Sequence, residues 1–202
     1  MKLENIGKAN LIDGMKKSYS NAEELLNEVY LLQTNQKWAR AYALCQLSIE
    51  EMAKVPLLLD LLINKINGYP IDYKQMNRKF KDHSLKTILS IETEIAFFKL
   101  YKQQSGAEWV DGAIKKGEEF INNIEELNDF KNESLYVTIK GNKFQSPNVI
   151  IDEEKFQSIY GKALLRKIMF KKLVEGSENN IEEIARMIKE NYENDNVNVE
   201  SS

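Results

Sequence analysis

The only histidine of the 202-residue chain, His83, stands five residues after Arg78, one of four arginines. An imidazole changes charge near neutral pH, whereas a guanidinium keeps its charge throughout. Together they supply what phosphoryl chemistry asks for: a group that moves protons and a rigid fork of donors for phosphate oxygens. The stretch from Asp72 to Lys86 carries five cations (Lys74, Arg78, Lys79, Lys81, Lys86) against two carboxylates (Asp72, Asp82). In a chain of net charge −3 this local excess reads as an anion-facing surface. RNA suits such a surface. Its own 2′-hydroxyl can attack the adjacent phosphorus, so the protein need only move protons and stabilise a more highly charged phosphorane.

A carboxylate belongs to the same picture. Glu51 falls within about 40° of Leu44, Leu47, Val55 and Leu58 on a continuous helix. It is therefore expected on an apolar stripe, where it needs a partner such as Arg78, His83 or a backbone donor. Glu50 points toward Gln46 and Lys54 and reads as half of an exposed i,i+4 pair. Other chemistries lack parts. Cys45 is the only cysteine, lies on an apolar face and reads as a packing residue. One Cys and one His cannot build a structural zinc site, and there is no Gly-rich phosphate loop. No metal and no cofactor are expected.

The elements that must position these groups read as helices. The first runs from Leu11 or from Ser20, which has the form of a capping box, to Gln33. The second is a long helix from Gln36 to Asn67, apolar on two faces, with Pro56 as an expected kink. The third opens on Asp72 and runs to Gln103, with Tyr73, Met76, Phe80, Ile91, Ile95 and Phe98 inward. On one regular helix Arg78 and His83 would point about 140° apart. A fourth helix spans Trp109 to Leu127. Alternation of Leu135, Val137 and Ile139 before Gly141-Asn142 predicts a hairpin near 134–147, which needs the helices to cover it. A fifth helix, Asp152 to Val174, stops at Gly176 and shows Lys162, Arg166, Lys167, Lys171 and Lys172 to solvent. A short sixth, Ile181 to Tyr192, is expected apart from the core, with a disordered tail from Asn194. From Glu175 onward eight acids face two bases.

The expected fold class is all-α, a helical bundle with a small β-hairpin insertion, organised as a domain over 1–176 and an acidic appendage over 177–202. The most apolar run, Val55 to Ile63, is interrupted by Pro56 and Asp60 and falls far short of the ~20 residues that span a bilayer. Met1 to Asn10 is charged and lacks the apolar centre of a signal peptide. A soluble cytoplasmic protein with no membrane partner is expected.

Four segments stand in a telling order: Asn21-Ala22 before Leu25-Leu26; Ala41-x-Ala43-x5-Ile49-Glu50-Glu51-x-Ala53-Lys54; Arg78-x4-His83-x2-Lys86; and Lys131-x2-Ser134-Leu135-Tyr136-Val137 followed by Pro147. This combination, over Leu11 to Val174, resembles the AbiV family of abortive phage infection proteins, a branch of the HEPN superfamily. The resemblance implies a helical HEPN domain that dimerises and sets the Arg and His of both chains in a shared cleft. It implies metal-free RNA cleavage and a toxic activity, released by a phage product, that stops protein synthesis. Carried over, it makes Arg78 and His83 the catalytic pair and Glu51 a supporting residue. The basic stretch adds Lys79 and Lys86 as support and Lys74 and Lys81 for the RNA backbone. The partners implied are a second copy, RNA, and a phage-encoded activator or target. Lys79 departs from the pattern, since active HEPN enzymes often place a small polar residue directly after the Arg. A second reading therefore stays open: a non-catalytic helical module that binds a phage or host protein, with His83 structural.

Overall fold

A computed structural model describes residues 3–200, with side chains through Glu190. The described residues form ten α-helices, one short 3-10 turn at Leu3–Asn5 and one two-stranded sheet. Helix α1 (Lys8–Thr34) is a single element. Leu11, Met15, Tyr19, Ala22, Leu26 and Val29 make one unbroken buried stripe along it, so the chain has no cause to restart at Ser20.

The long second helix expected from the sequence is two, α2 (Trp38–Met52) and α3 (Lys54–Asn67). Pro56 has no N–H for the Met52 carbonyl and its ring crowds that oxygen, and the helix is interrupted at Ala53. The third expected helix also divides, into α4 (Tyr73–Lys81) and α5 (His83–Ser105). Between them Asp82 adopts an extended conformation (φ −78°, ψ 122°) and its carboxylate accepts the Leu85 N–H at 3.0 Å. An Asp that can cap a new helix competes with continuation of the old one.

Helices α6 (Trp109–Asn122) and α7 (Ile124–Leu135) follow. Helix α6 lies so close to α5 that a Cβ on Gly117 would sit 2.9 Å from Ile95 Cγ1. Helix α7 extends to Leu135, so strand alternation starts later than expected. Strand β1 (Thr138–Lys140) pairs antiparallel with β2 (Lys143–Gln145), Ile139 opposite Phe144. Gly141, at φ +61°, opens the two-residue turn, as such turns demand. The hairpin is not covered as expected: Tyr136, Val137, Ile139 and Phe144 are each more than 60% exposed. It is tied down at its exit, where α8 (Pro147–Ile150) buries Ile150.

Helix α9 (Glu153–Asn179) runs straight through Gly176, and α10 (Ile181–Glu200) follows. The last helix is not apart from the core. Ala185 is buried and its carbonyl accepts the Asn67 side-chain amide at 2.9 Å, while Lys8 reaches Glu182. The backbone stays helical past Asn194, and Ser201 and Ser202 lie outside the described residues. The basic strip of α9 is also divided. Lys171 and Lys172 are exposed, but Arg166 turns inward, buried, and sets Nε and Nη2 each 2.8 Å from Glu94 Oε2. The bundle is thus all-α apart from its hairpin, with α2 at the centre, in contact with α1, α5, α7 and α9. Among the described residues no helix is long and apolar enough to cross a membrane.

Candidate active site

The break at Asp82 builds the corner that carries Arg78 and His83. Tyr73, Met76 and Phe80 set the inward face of α4; Met76 is buried, Lys65 lies over the Tyr73 ring and Lys54 over the Phe80 ring. Lys74, Arg78 and Lys81, at i, i+4 and i+7, share the opposite face, and all three are exposed. Arg78 makes no side-chain hydrogen bond or ion pair among the described residues, so its guanidinium is available to a ligand. Lys79 lies half-buried at the flank. His83 is the first residue of α5, at the positive end of the helix dipole. The expected 140° separation on one regular helix does not apply, because the two residues stand on different helices either side of a corner.

The carboxylate that meets His83 is Glu50, not Glu51. His83 Nδ1 is hydrogen-bonded to Glu50 Oε2, Lys131 Nζ lies 3.0 Å from Glu50 Oε1, and Lys86 Nζ lies 3.4 Å from Oε2. The Glu50, Lys86 and Lys131 side chains are 3%, 8% and 8% exposed, whereas that of His83 is 56% exposed. Glu51 instead pairs with Lys54 at 2.5 Å, and that lysine lies over Phe80. Glu51 thus braces the underside of α4 and makes no recorded contact with Arg78 or His83.

The reversal has a clear cause. Leu44 and Leu47, which share Glu51's side of α2, are only half-buried, so that apolar stripe is not the most deeply buried side of the helix. Helix α2 is also buried on nearly every side, and the side bearing Ala39, Ala43, Gln46 and Glu50, all buried, is where α5 and α7 dock. Gln46 Nε2 donates to Thr87 Oγ1 at 3.1 Å, and Thr87 Oγ1 donates to the His83 carbonyl at 3.1 Å. This chain fixes the first turn of α5 on α2.

Lys131 is a site residue that residue types alone do not reveal, although it stands in the fourth of the ordered segments. Helix α7 brings it in, and Ser134 Oγ braces its carbonyl at 2.5 Å. Lys86 has a changed role: buried against Glu50, it holds the carboxylate and is not presented to a ligand. Cys45 is fully buried, and burial pushes its thiol well above the usual range, as a packing residue requires.

The chemistry of the arrangement follows from donor counting. Glu50 faces two ammonium groups and can only accept, so Nδ1 of His83 carries the proton that it donates. A partner on one ring nitrogen selects the tautomer and leaves Nε2 with a lone pair on the exposed edge. A proton acceptor held by packing thus stands at a corner with a free guanidinium and two exposed lysines.

A family model described as AbiV, of the HEPN group, matches residues 10–165. No curated protein and no solved structure matches the chain.

Proposed function

Because the chain belongs to the AbiV family of HEPN proteins, we propose that it is an abortive-infection protein whose toxic activity is metal-independent RNA cleavage at Arg78 and His83. The observation that carries this reading is the fixing of His83 by buried Glu50, with the ring more than half exposed, five residues after an exposed Arg78 that has no ion-pair partner among the described residues. His83 Nε2 takes the proton of the attacking 2′-hydroxyl, and Arg78 holds the phosphoryl oxygens through parallel hydrogen bonds. Lys74 and Lys81 track the flanking phosphates. Cytoplasmic RNA is the substrate, and a phage-encoded protein is the trigger.

The test is RNA integrity and phage protection in cells expressing wild type, His83→Ala or Arg78→Ala, with and without infection. Both variants are expected to lose cleavage and protection. Arg78 is exposed and unpaired, so its variant should stay within ~0.5 kcal/mol of wild-type stability. Equal protection by wild type and His83→Ala would reject catalysis by this histidine. Loss of function explained by precipitation of Arg78→Ala would remove Arg78 from the site.

A homodimer completes the reading. Strand cleavage benefits from one group that accepts a proton and another that gives one, and each chain has one histidine. A two-fold axis beside the α4–α5 corner would pool two of each residue around one cleft. Dimers with one wild-type and one His83→Ala chain should then show well under half of wild-type activity. Half activity would mean two independent sites, and a fully active monomer would rule out pooling.

The rival reading, a non-catalytic module that binds a phage or host protein, is favoured by one observation, the uncovered hairpin with Tyr136, Val137, Ile139 and Phe144. The same experiment separates the two, since a binding module would protect cells without His83.

A further inference from the structure

Away from His83, α6, α7 and α9 line a half-open cavity of about 760 Å³, within the range of small-molecule sites. Tyr42 and Ile159, both buried, line it, and Phe120, Leu127 and Phe130 add apolar walls. Two of the lining cations, Lys116 and Lys162, have no ion-pair partner among the described residues, and of these only Lys162 is half-buried. Its Nζ lies 3.3 Å from the centre of the Phe120 ring. Its neighbours cannot neutralise it. Glu94 of α5 is engaged by Arg166, one turn further along α9, and Lys116 of α6 is itself a cation lining the cavity. Burial first, then repulsion from Arg166, brings the Lys162 ammonium down to about 8; Lys116 adds to the fall and Glu94 opposes it.

A half-buried ammonium against a phenyl ring, with no counter-ion, is short of the anion that would offset its lost hydration. One such ammonium matches one negative charge. The exposed carboxylates that also line the cavity, Glu119, Glu126, Asp152 and Glu154, repel anything more highly charged. We propose that this cavity binds a small apolar monocarboxylate, with its hydrocarbon body against Phe120 and Phe130 and its carboxylate on Lys162. The site is distinct from the Arg78–His83 corner, yet α7 joins them, since Phe130 lines the cavity and the next residue, Lys131, holds Glu50.

The experiment titrates the full chain with 2-naphthoate, and with its neutral amide as a control, by calorimetry. Saturable binding is expected for the acid and at least about tenfold weaker binding for the amide, which forms no ion pair. Lys162→Met should weaken the acid by a similar factor, while Lys172→Met, an exposed lysine of the same helix, should leave it unchanged. Affinity should hold between about pH 6 and 7 and fall as pH rises past about 8, because the ammonium that pairs with the carboxylate loses its proton there. Equal binding of acid and amide by the wild-type protein would overturn the proposal, as would affinity independent of Lys162 or of pH. Tighter, Lys162-dependent binding of a nucleoside 5′-monophosphate would overturn the choice of ligand class.

Discussion

Glu50→Ala is expected to cost about 3–5 kcal/mol of stability, the usual penalty for leaving buried charge without its partner. The variant strands two ammonium groups, Lys86 and Lys131, each of which is buried and faces Glu50. At about 2–4 °C per kcal/mol for a chain of this size, the melting temperature should drop by roughly 6–20 °C. The loss should extend to function, since His83 then has no acceptor for Nδ1–H and no selected tautomer. Glu51→Ala should be far milder, at about 0.5–1 kcal/mol, because its partner Lys54 can turn to water. Thermal melts of the two variants decide the matter. Equal shifts would mean that Glu50 is not the counter-ion of a buried cluster.

Glu94→Ala should rank beside it. Arg166 is 4% exposed and both its recorded contacts are to Glu94 Oε2. Burial pushes its pKa down, but a guanidinium remains charged at any ordinary pH. Removing the carboxylate leaves an unpaired cation inside the bundle, again a cost of about 3–5 kcal/mol. The double variant Glu94→Leu with Arg166→Met should recover most of that loss, since a paired charge replaced by apolar groups of similar size is often near neutral. A single variant that melts with the wild type would show that Arg166 reaches water without Glu94. A double variant no more stable than the single would point to packing rather than charge as the source of the loss.

Both predictions turn on carboxylates that the chain shows plainly but whose partners it conceals. Nothing local marks Glu94, and Arg166 reads as part of a solvated strip, because several cations in a row along one helix face are the pattern of an exposed face. Only the docking of α9 against α5 turns one member of that strip inward. Glu50 and Glu51 are adjacent, and a choice between them rests on which side of α2 is covered more deeply. Leu44 and Leu47 beside Glu51 are half-buried, whereas Ala39, Ala43 and Gln46 beside Glu50 are buried by helices far along the chain.

Local and periodic features are written in the chain. The stripe from Leu11 to Val29 specifies α1, the alternation around Ile139 with Gly141-Asn142 specifies a hairpin, and the placing of Arg78 opposite Tyr73, Met76 and Phe80 puts a cation on an exposed face. These follow from side-chain spacing and hydrophobicity within one element. The family was legible too, in segments whose order a model over residues 10–165 matches. Which polar groups meet depends instead on how the helices pack. Asp82 had two local options, to continue a helix or to cap a new one. Taking the second gave His83 its own helix start. Lys131 comes from 81 residues beyond Glu50, a separation across which no periodicity carries information. A buried ion cluster is chosen by how α2, α5 and α7 pack, since each charge is tolerable inside only once the others have arrived.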